Sequence, residues 1–299
     1  MLNGAFEEAW IFSDQVLKER AGKTSSHLQR HHQWIWDGSP LEGQRVLIRC
    51  YHGLGDTIQF IRYMPMLKAI AKEIIVWAQA PLIPLLQTVD SIDRILPLHD
   101  GIPGVDYDVD VEIMELAHIF RTGITTIPSR IPYIHVQPEF LSASKNQLSV
   151  GLVWKAGDWD HRRNIPFQLL KPLFDITGNI FILQENAKAA GWSEEYGIHP
   201  GDVSLHQYAS RIKGMDLIIS IDSMPVHLAG ALGVPVWTLL HADADWRWMR
   251  NRDDSPWYPT MKLFRQKKQD EWHPVIESVV RDLQHWQRTS IVGELTTNK

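Results

Sequence analysis

The chain has 299 residues, 30 Lys and Arg against 35 Asp and Glu, and a single cysteine. Hydrophobic residues make up 44% and charged residues 22%, a globular mixture that excludes a disordered or fibrous chain. A net charge of −5 argues against a protein that tracks nucleic acid or clings to anionic lipid, and the lone Cys50 excludes an internal disulfide and any cysteine-based zinc site.

At about 150 residues per domain, the length implies two domains or one large one. The first residues lack the cationic and apolar blocks of a signal peptide, so a cytoplasmic protein is expected. Residues 3–21 have helical spacing, with Phe6, Ala9, Trp10, Phe12, Val16 and Leu17 toward one side, and the polar run Gly22 to Ser26 ends the pattern. From Gln44 short apolar runs alternate with helical ones. Arg45–Cys50 reads as a strand, then come Gly53-Leu54-Gly55 and a helix over about Asp56–Ala71. A strand at Ile74–Ala78, a short helix near Leu82–Val89, a strand near Arg94–Leu98 and a strand candidate at Tyr107–Ile113 follow. Pro128, Pro132, Pro138 and the polar run 142–147 mark the linker candidate.

The alternation then restarts: strand Ser149–Trp154, helix Phe167–Phe174, strand Asn179–Gln184, helix Leu205–Ile212, strand Asp216–Asp222, helix Val226–Leu232 and strand Val234–Leu240. A last helix covers about Pro274–Trp286, with a frayed tail over Glu294–Lys299, and no repeat of 20–50 residues appears. The most apolar stretch, Leu217 to Leu240, is broken by Asp222, Pro225, His227 and Pro235, so it reads as strand–helix–strand and not as a membrane span of about 20 apolar residues. Strands alternating with helices imply parallel sheets covered on both faces. The doubled pattern predicts an α/β chain of two Rossmann-like domains with a cleft between them. The expected divisions are a helical extension over 1–43, a first domain over 44–145, a second over 146–270, and a helix and tail over 271–299. Most of the thirteen Trp are expected to pack between layers, because the ring carries so much apolar area.

Three loops carry candidate chemistry. Gly53-Leu54-Gly55-Asp56 lies after the first strand, where doubly wound sheets hold ligands. Asp56 would repel a phosphate, so it reads either as a helix cap or as a general base facing a hydroxyl. In Ile219 to Gly233 a buried strand delivers Asp222 and Ser223 to a helix start, with Pro225 in the first turn and His227 one turn on. That helix start is a diphosphate site, or else Asp222 and Ser223 are caps and His227 is a satisfied core residue. In Trp154 to Asn164, Lys155, Arg162 and Arg163 either neutralise phosphate charge or form a solvated loop.

Asp106, Asp108 and Asp110 have the D-x-D spacing that holds a divalent cation in some glycosyltransferases. Their period of two puts them on one face of a strand, which reads better as a face in water. Asp243-Ala244-Asp245 is equally weak, and His31-His32 has no third ligand in spacing. No metal site and no cofactor are expected.

The ordered stretches Trp36 to Gly43, Gly53 to Tyr63, Arg130 to Tyr133, Asp222 to Trp237, Asp245 to Trp248 and Asp254 to Thr260 span most of the chain. In them the sequence resembles the GT-B glycosyltransferases of the heptosyltransferase type, glycosyltransferase family 9, of the kind fused behind tetratricopeptide repeats. Helix 3–21 looks like a last repeat helix. The resemblance implies a metal-independent, inverting transfer of a heptose-like or other hexose sugar from a nucleotide-diphosphate donor to a hydroxyl of a glycan, lipopolysaccharide or protein acceptor. It assigns the acceptor to the N-terminal domain and the donor to the C-terminal one. Asp56 is then the base, with His52, Gly53, Gly55 and Gln59 around the acceptor loop. Asp222, Ser223 and His227 lie against the donor's diphosphate and sugar, Lys155 or Arg163 pairs with the diphosphate, and Gln184-Glu185 approaches the nucleoside. Two positions depart from the pattern: Tyr51-His52 stands where relatives carry Glu-Gln, and Pro225 interrupts the Asp–His segment. The alternatives are a sugar-nucleotide epimerase of the same fold and a non-catalytic nucleotide-sugar-binding or interaction module.

Overall fold

A computed structural model describes residues 1–141, 147–157 and 159–297, with side chains through Thr289. Most of the expected polar linker, 142–146, lies outside the described residues, as do Asp158 and the last two residues of the tail. The chain divides into two compact units, Met1–Val136 and Gln137–Lys299. This division falls in the proline-rich stretch, ahead of the expected 145/146 boundary. Glu139 already belongs to the second unit: its N–H donates to the Ser210 carbonyl at 2.8 Å and its carboxylate meets Arg211 at 3.2 Å.

The first unit begins with α1 (Phe6–Arg20), which buries Phe6 and Trp10. Trp10 donates its indole N–H to the Thr122 carbonyl at 2.7 Å, and Asp14 holds both His118 and Arg121. Hydrogen bonds from Arg121 and then His118 pull the Asp14 carboxyl down to about 2. Phe12 is 66% exposed, against expectation. At 100° per residue, a side chain two positions after a buried Trp10 lies on the opposite side of a helix.

Strands β1 (Arg45–Arg49), β2 (Glu73–Ala78), β3 (Arg94–Pro97) and β4 (Val109–Glu112) pair in parallel in the order β3-β2-β1-β4. The centres of β1 and β2 are wholly buried, as parallel strands covered on both faces must be. Between β1 and β2 the expected single helix is split into α2 (Leu54–Phe60), a 3₁₀ turn at Ile61–Tyr63 and α3 (Met64–Lys68). Pro65 sits in the first turn of α3, where it lacks an N–H to continue an unbroken ladder. Helix α4 (Ile83–Leu86) joins β2 to β3, and a short α5 (Leu116–Ile119), absent from the sequence reading, follows β4.

The second unit alternates β5 (Val150–Val153), α6 (Phe167–Leu170), β6 (Ile180–Ile182), α7 (Leu205–Lys213), β7 (Leu217–Ile221), α8 (Met224–Leu232) and β8 (Val236–Leu240). A ninth strand, β9 (Met261–Arg265), and helix α9 (His273–Thr297) complete it. The sheet is parallel throughout, in the order β6-β5-β7-β8-β9. Strand β9 escaped the sequence reading because it is a sheet edge. Lys262 stays exposed there and pairs with Asp282 at 2.8 Å, which breaks the apolar run.

Helix α8 is buried along nearly its whole length and ends at Gly233, whose φ of 73° closes it in the left-handed region. Gly230 lets Tyr258 lie directly on the helix: a Cβ at that position would stand 2.2 Å from the Tyr258 Cδ1. Replacing Gly in a helix with Ala gains about 1 kcal/mol of propensity, but this clash with an aromatic ring outweighs it. G230A is therefore expected to lose about 1–3 kcal/mol net. A lower urea midpoint with unchanged slope is the expected readout, and equal or greater stability would contradict the packing.

Candidate active site

In each sheet the chain reverses its direction of travel across the strands at one point, and ligands of such sheets bind beyond the carboxyl ends of the strands there. In the five-stranded sheet that point lies between β5 and β7. The loops leaving it are 154–164 and 222–223, which carry most of the donor-side residues expected from sequence.

Arg163 ties these loops together, its Nη1 donating to the Asp222 carbonyl at 2.8 Å. The Asp222 side chain is buried, which pushes its carboxyl up, while Arg247 and then Arg163 act in the other direction. Ser223 is the N-cap of α8 in extended backbone, and no side chain caps the first turn. The Ser223 hydroxyl donates to the Ile221 carbonyl at 3.3 Å. Pro225 has no N–H and the Val226 N–H donates to the Ser223 carbonyl at 3.1 Å, so the Met224 N–H is what the first turn of α8 can offer an anion. Pro225 falls in its first turn, where a missing N–H costs nothing.

His227 is 2% exposed. Its Nδ1 meets the Tyr258 hydroxyl at 3.0 Å and its ring stacks on Trp248 at 5.4 Å, a core setting behind the helix start. The Gln184 amide is taken up by the protein: its Oε1 accepts the N–H groups of Trp154 at 3.1 Å and Lys155 at 2.8 Å. It therefore shapes the end of β5, whereas Glu185 and the Lys155 side chain are exposed. Arg162 is clamped by Asp160, which it holds down to about 2, leaving Lys155 and Arg163 as the cations of this loop. His241, after β8, lies 3.8 Å from Asp160, and burial lowers its basicity.

In the four-stranded sheet the reversal lies between β1 and β4. Helix α2 starts at Leu54, so Gly55 and Asp56 lie inside its first turn and Gly53 is the N-cap. The Asp56 Oδ2 accepts the Gly53 N–H at 3.0 Å, which is the capping geometry. Asp56 is nonetheless only partly buried, so the same carboxylate has an accessible edge. Gln59, expected near the acceptor, is completely buried in α2, and neither end of its amide finds a partner. The D-x-D acids are engaged: Asp108 pairs with Arg45 at 2.8 Å and Asp110 with Arg49, so β4 and β1 are zipped along one face. Among the described residues, no three His, Cys, Asp or Glu side chains gather where they could hold a metal ion.

Sequence reading missed Glu112. It ends β4 with a side chain only 3% exposed, and its Oε2 lies 3.8 Å from the His52 Nε2. Burial above all, with Glu115 and Asp56 adding repulsion, drives the Glu112 carboxyl up to about 8. It closes an Asp-x-Asp-x-Glu run in which no motif marks it apart from its solvated neighbours.

Residues 186–277, the segment holding α7 to the start of α9, match the family described as glycosyltransferase family 9 (heptosyltransferase). That segment contains Asp222, Ser223 and His227 but not Asp56, Lys155 or Arg163. Protein FlbA of Caulobacter vibrioides is 24% identical over 286 residues, taking in 83% of this chain and 48% of its own length. The chain thus spans about half of that relative. A glycosyltransferase family 9 structure from Veillonella parvula superposes with a TM-score of 0.60 at 12% identity, covering 85% of this chain and 99% of its own. The ADP-heptose lipopolysaccharide heptosyltransferase II of Escherichia coli gives a TM-score of 0.55 at 16% identity, over 84% and 99% of the two chains. The E. coli glycosyltransferase TibC, described as dodecameric and iron-containing, gives 0.55 at 13% identity, over 86% and 78%. These likenesses establish the GT-B type of α/β fold, and together with the family segment they support a glycosyltransferase.

The Glu112 environment has a consequence for stability. The folded chain keeps this proton up to about pH 8, whereas the ordinary carboxyl releases it at 4.5. Between those values the unfolded state binds fewer protons, so the group makes stability fall as pH rises. E112Q removes that slope. Urea midpoints of parent and variant are expected to run together below the window and to diverge through it in favour of the variant, by on the order of a few kcal/mol. Parallel curves would contradict the buried proton.

Proposed function

We propose that this chain is a metal-independent, inverting glycosyltransferase that moves a heptose-like or other hexose sugar from a nucleotide diphosphate to a hydroxyl acceptor. The acceptor would be a glycan, lipopolysaccharide or protein, and the reaction would run in the cytoplasm, where nucleotide sugars are made. The observation that carries the reading is the Arg163–Asp222 bond at the β5–β7 switch point, next to an uncapped helix start. It falls beside the segment that matches the family. Helix α1 fits a repeat-type helix, with Phe6 and Trp10 packed inward and Ile11 exposed. Among the described residues no helix is long and apolar enough to cross a membrane.

In the proposed reaction the diphosphate lies against the α8 start, where the helix dipole, Arg163 and Lys155 offset the charge that grows as the anomeric bond breaks. The acceptor oxygen attacks the anomeric carbon from the opposite face and gives its proton to Asp56. The electron pair of the broken bond leaves on the diphosphate. Gly53 holds the Asp56 Oδ2 by its N–H, so the carboxylate is oriented before the acceptor arrives.

Two outcomes test this. D56N keeps an oxygen for the Gly53 N–H but cannot take a proton, so transfer should fall about 10²–10⁴-fold with melting temperature nearly unchanged. D56A should in addition lose about 0.5–2 kcal/mol as the cap disappears. Transfer by D56N at the parent rate would make Asp56 a cap alone. Metal independence draws support from the two arginines that occupy Asp108 and Asp110. Chelation with EDTA should leave turnover intact, and a loss restored by Mn²⁺ or Mg²⁺ would overturn it.

A further inference from the structure

Glu112 ends β4 at the switch point of the four-stranded sheet, almost wholly buried, with the Met114 and Tyr51 backbones favouring its charge. Its Oε2 accepts the Met114 N–H at 2.8 Å, while its Oε1 is buried without a hydrogen-bond partner. Each neighbouring element brings an ionisable group to it. The end of β1 brings the Cys50 thiol, which burial above all, and the Glu112 charge with it, keeps protonated. The loop after β1 brings His52, helix α2 brings Asp56, and the turn after β4 brings Glu115. Glu115 is itself spent on structure. Burial pushes its carboxyl up, while it accepts the N–H groups of Glu112 at 2.8 Å, Trp36 at 3.0 Å and Ile35 at 3.4 Å and feels Arg20 of α1, all of which favour its charge.

Around Glu112, then, stand two carboxylates, a neutral thiol and the imidazole. Arg49 of β1, the register partner of Glu112, is spent on Asp110 and Tyr51, which leaves the imidazole to bring positive charge to a carboxylate that water does not reach. His52 Nε2 and Glu112 Oε2 stand 3.8 Å apart, within ion-pair distance.

We propose that Glu112 and His52 share one proton beside Asp56, which makes Glu112 the positioning residue for the His52 ring at the acceptor end of the reaction. The proposal rests on the glycosyltransferase reading above. The pair gains and loses no proton during transfer: the hydroxyl proton passes to Asp56, and the diphosphate leaves with the bonding electrons. The shared proton offsets one negative charge next to Asp56, and it fixes the His52 ring. When two such groups interact, the protons come off in steps that belong to the pair, so His52 reports on Glu112.

The test is an NMR titration of isotope-labelled histidine from about pH 5 to 10, with the His52 signal assigned by its loss in H52Q. In the parent, His52 is expected to titrate in two steps, the upper one following Glu112. In E112Q the upper step should vanish, and in E112D it should return. A His52 titration that E112Q leaves unchanged overturns the proposal, whatever the chain catalyses. Should E112Q fail to fold, the carbon-13 signal of the Glu112 carboxyl in H52Q reads the same coupling, and an unmoved midpoint there overturns it equally. With a working donor, E112Q should also remove the upper inflection from the pH profile of kcat while leaving KM for the donor unchanged, and E112D should restore it. Absence of transfer by the parent with every donor would defeat the glycosyltransferase reading yet leave the histidine titration to decide the pair.

Discussion

Strands β5 and β7 lie side by side and parallel, and the chain leaves them in opposite directions across the sheet. A gap must therefore open beyond their carboxyl ends, since neither crossover covers it. Arg163 reaches across that gap to the Asp222 carbonyl, and the rest of the arrangement at this end of the sheet follows from this placement. It fixes the β5 loop against the first residues of α8, and it leaves a guanidinium beside a helix start that no side chain caps. The same bond spends the Asp222 backbone and leaves the Asp222 carboxyl to be balanced electrostatically by Arg247 and Arg163.

Burial decides what the remaining polar groups are free to do. His227 sits between Trp248 and Tyr258 and supports α8 from behind. Gly230 allows that support by letting the Tyr258 ring touch the helix. Gln184 is fully used at the end of β5, and Gln59 is sealed inside α2. In the first unit the exposed D-x-D acids are drained of interest by β1 arginines, while the last acid of the same run, Glu112, is drawn into the sheet and loses its water. One strand thus carries both solvated and desolvated acids within four residues of each other.

Much of this was legible in the sequence. The central strands read directly, because a parallel strand covered on both faces is a continuous apolar run, as in Leu217–Ile221. The glycine loop and the Asp-Ser-Met-Pro turn were equally plain, since each follows such a run. The losses have physical reasons. Strand β9 lies at the sheet edge with Lys262 in water, so its apolar signal is interrupted. Helix α5 is four residues long, too short for a 3.6-residue period to appear. Phe12 has the residue type of a buried side, but its angle on α1 puts it in solvent. Glu112 carries no local mark at all: its burial comes from β1, α2 and the turn after β4 closing around it. Only tertiary structure distinguishes it from Asp108 and Asp110.

The central claim is that the second unit holds a nucleotide-diphosphate sugar at the start of α8. Isothermal calorimetry of the parent and of S223D against a panel of nucleotide sugars tests it most directly. The added carboxylate would sit at the proposed diphosphate position without touching the core. The account predicts that one nucleotide sugar binds the parent, that S223D loses this binding, and that circular dichroism of the two proteins is the same. Equal affinity in parent and S223D would contradict it.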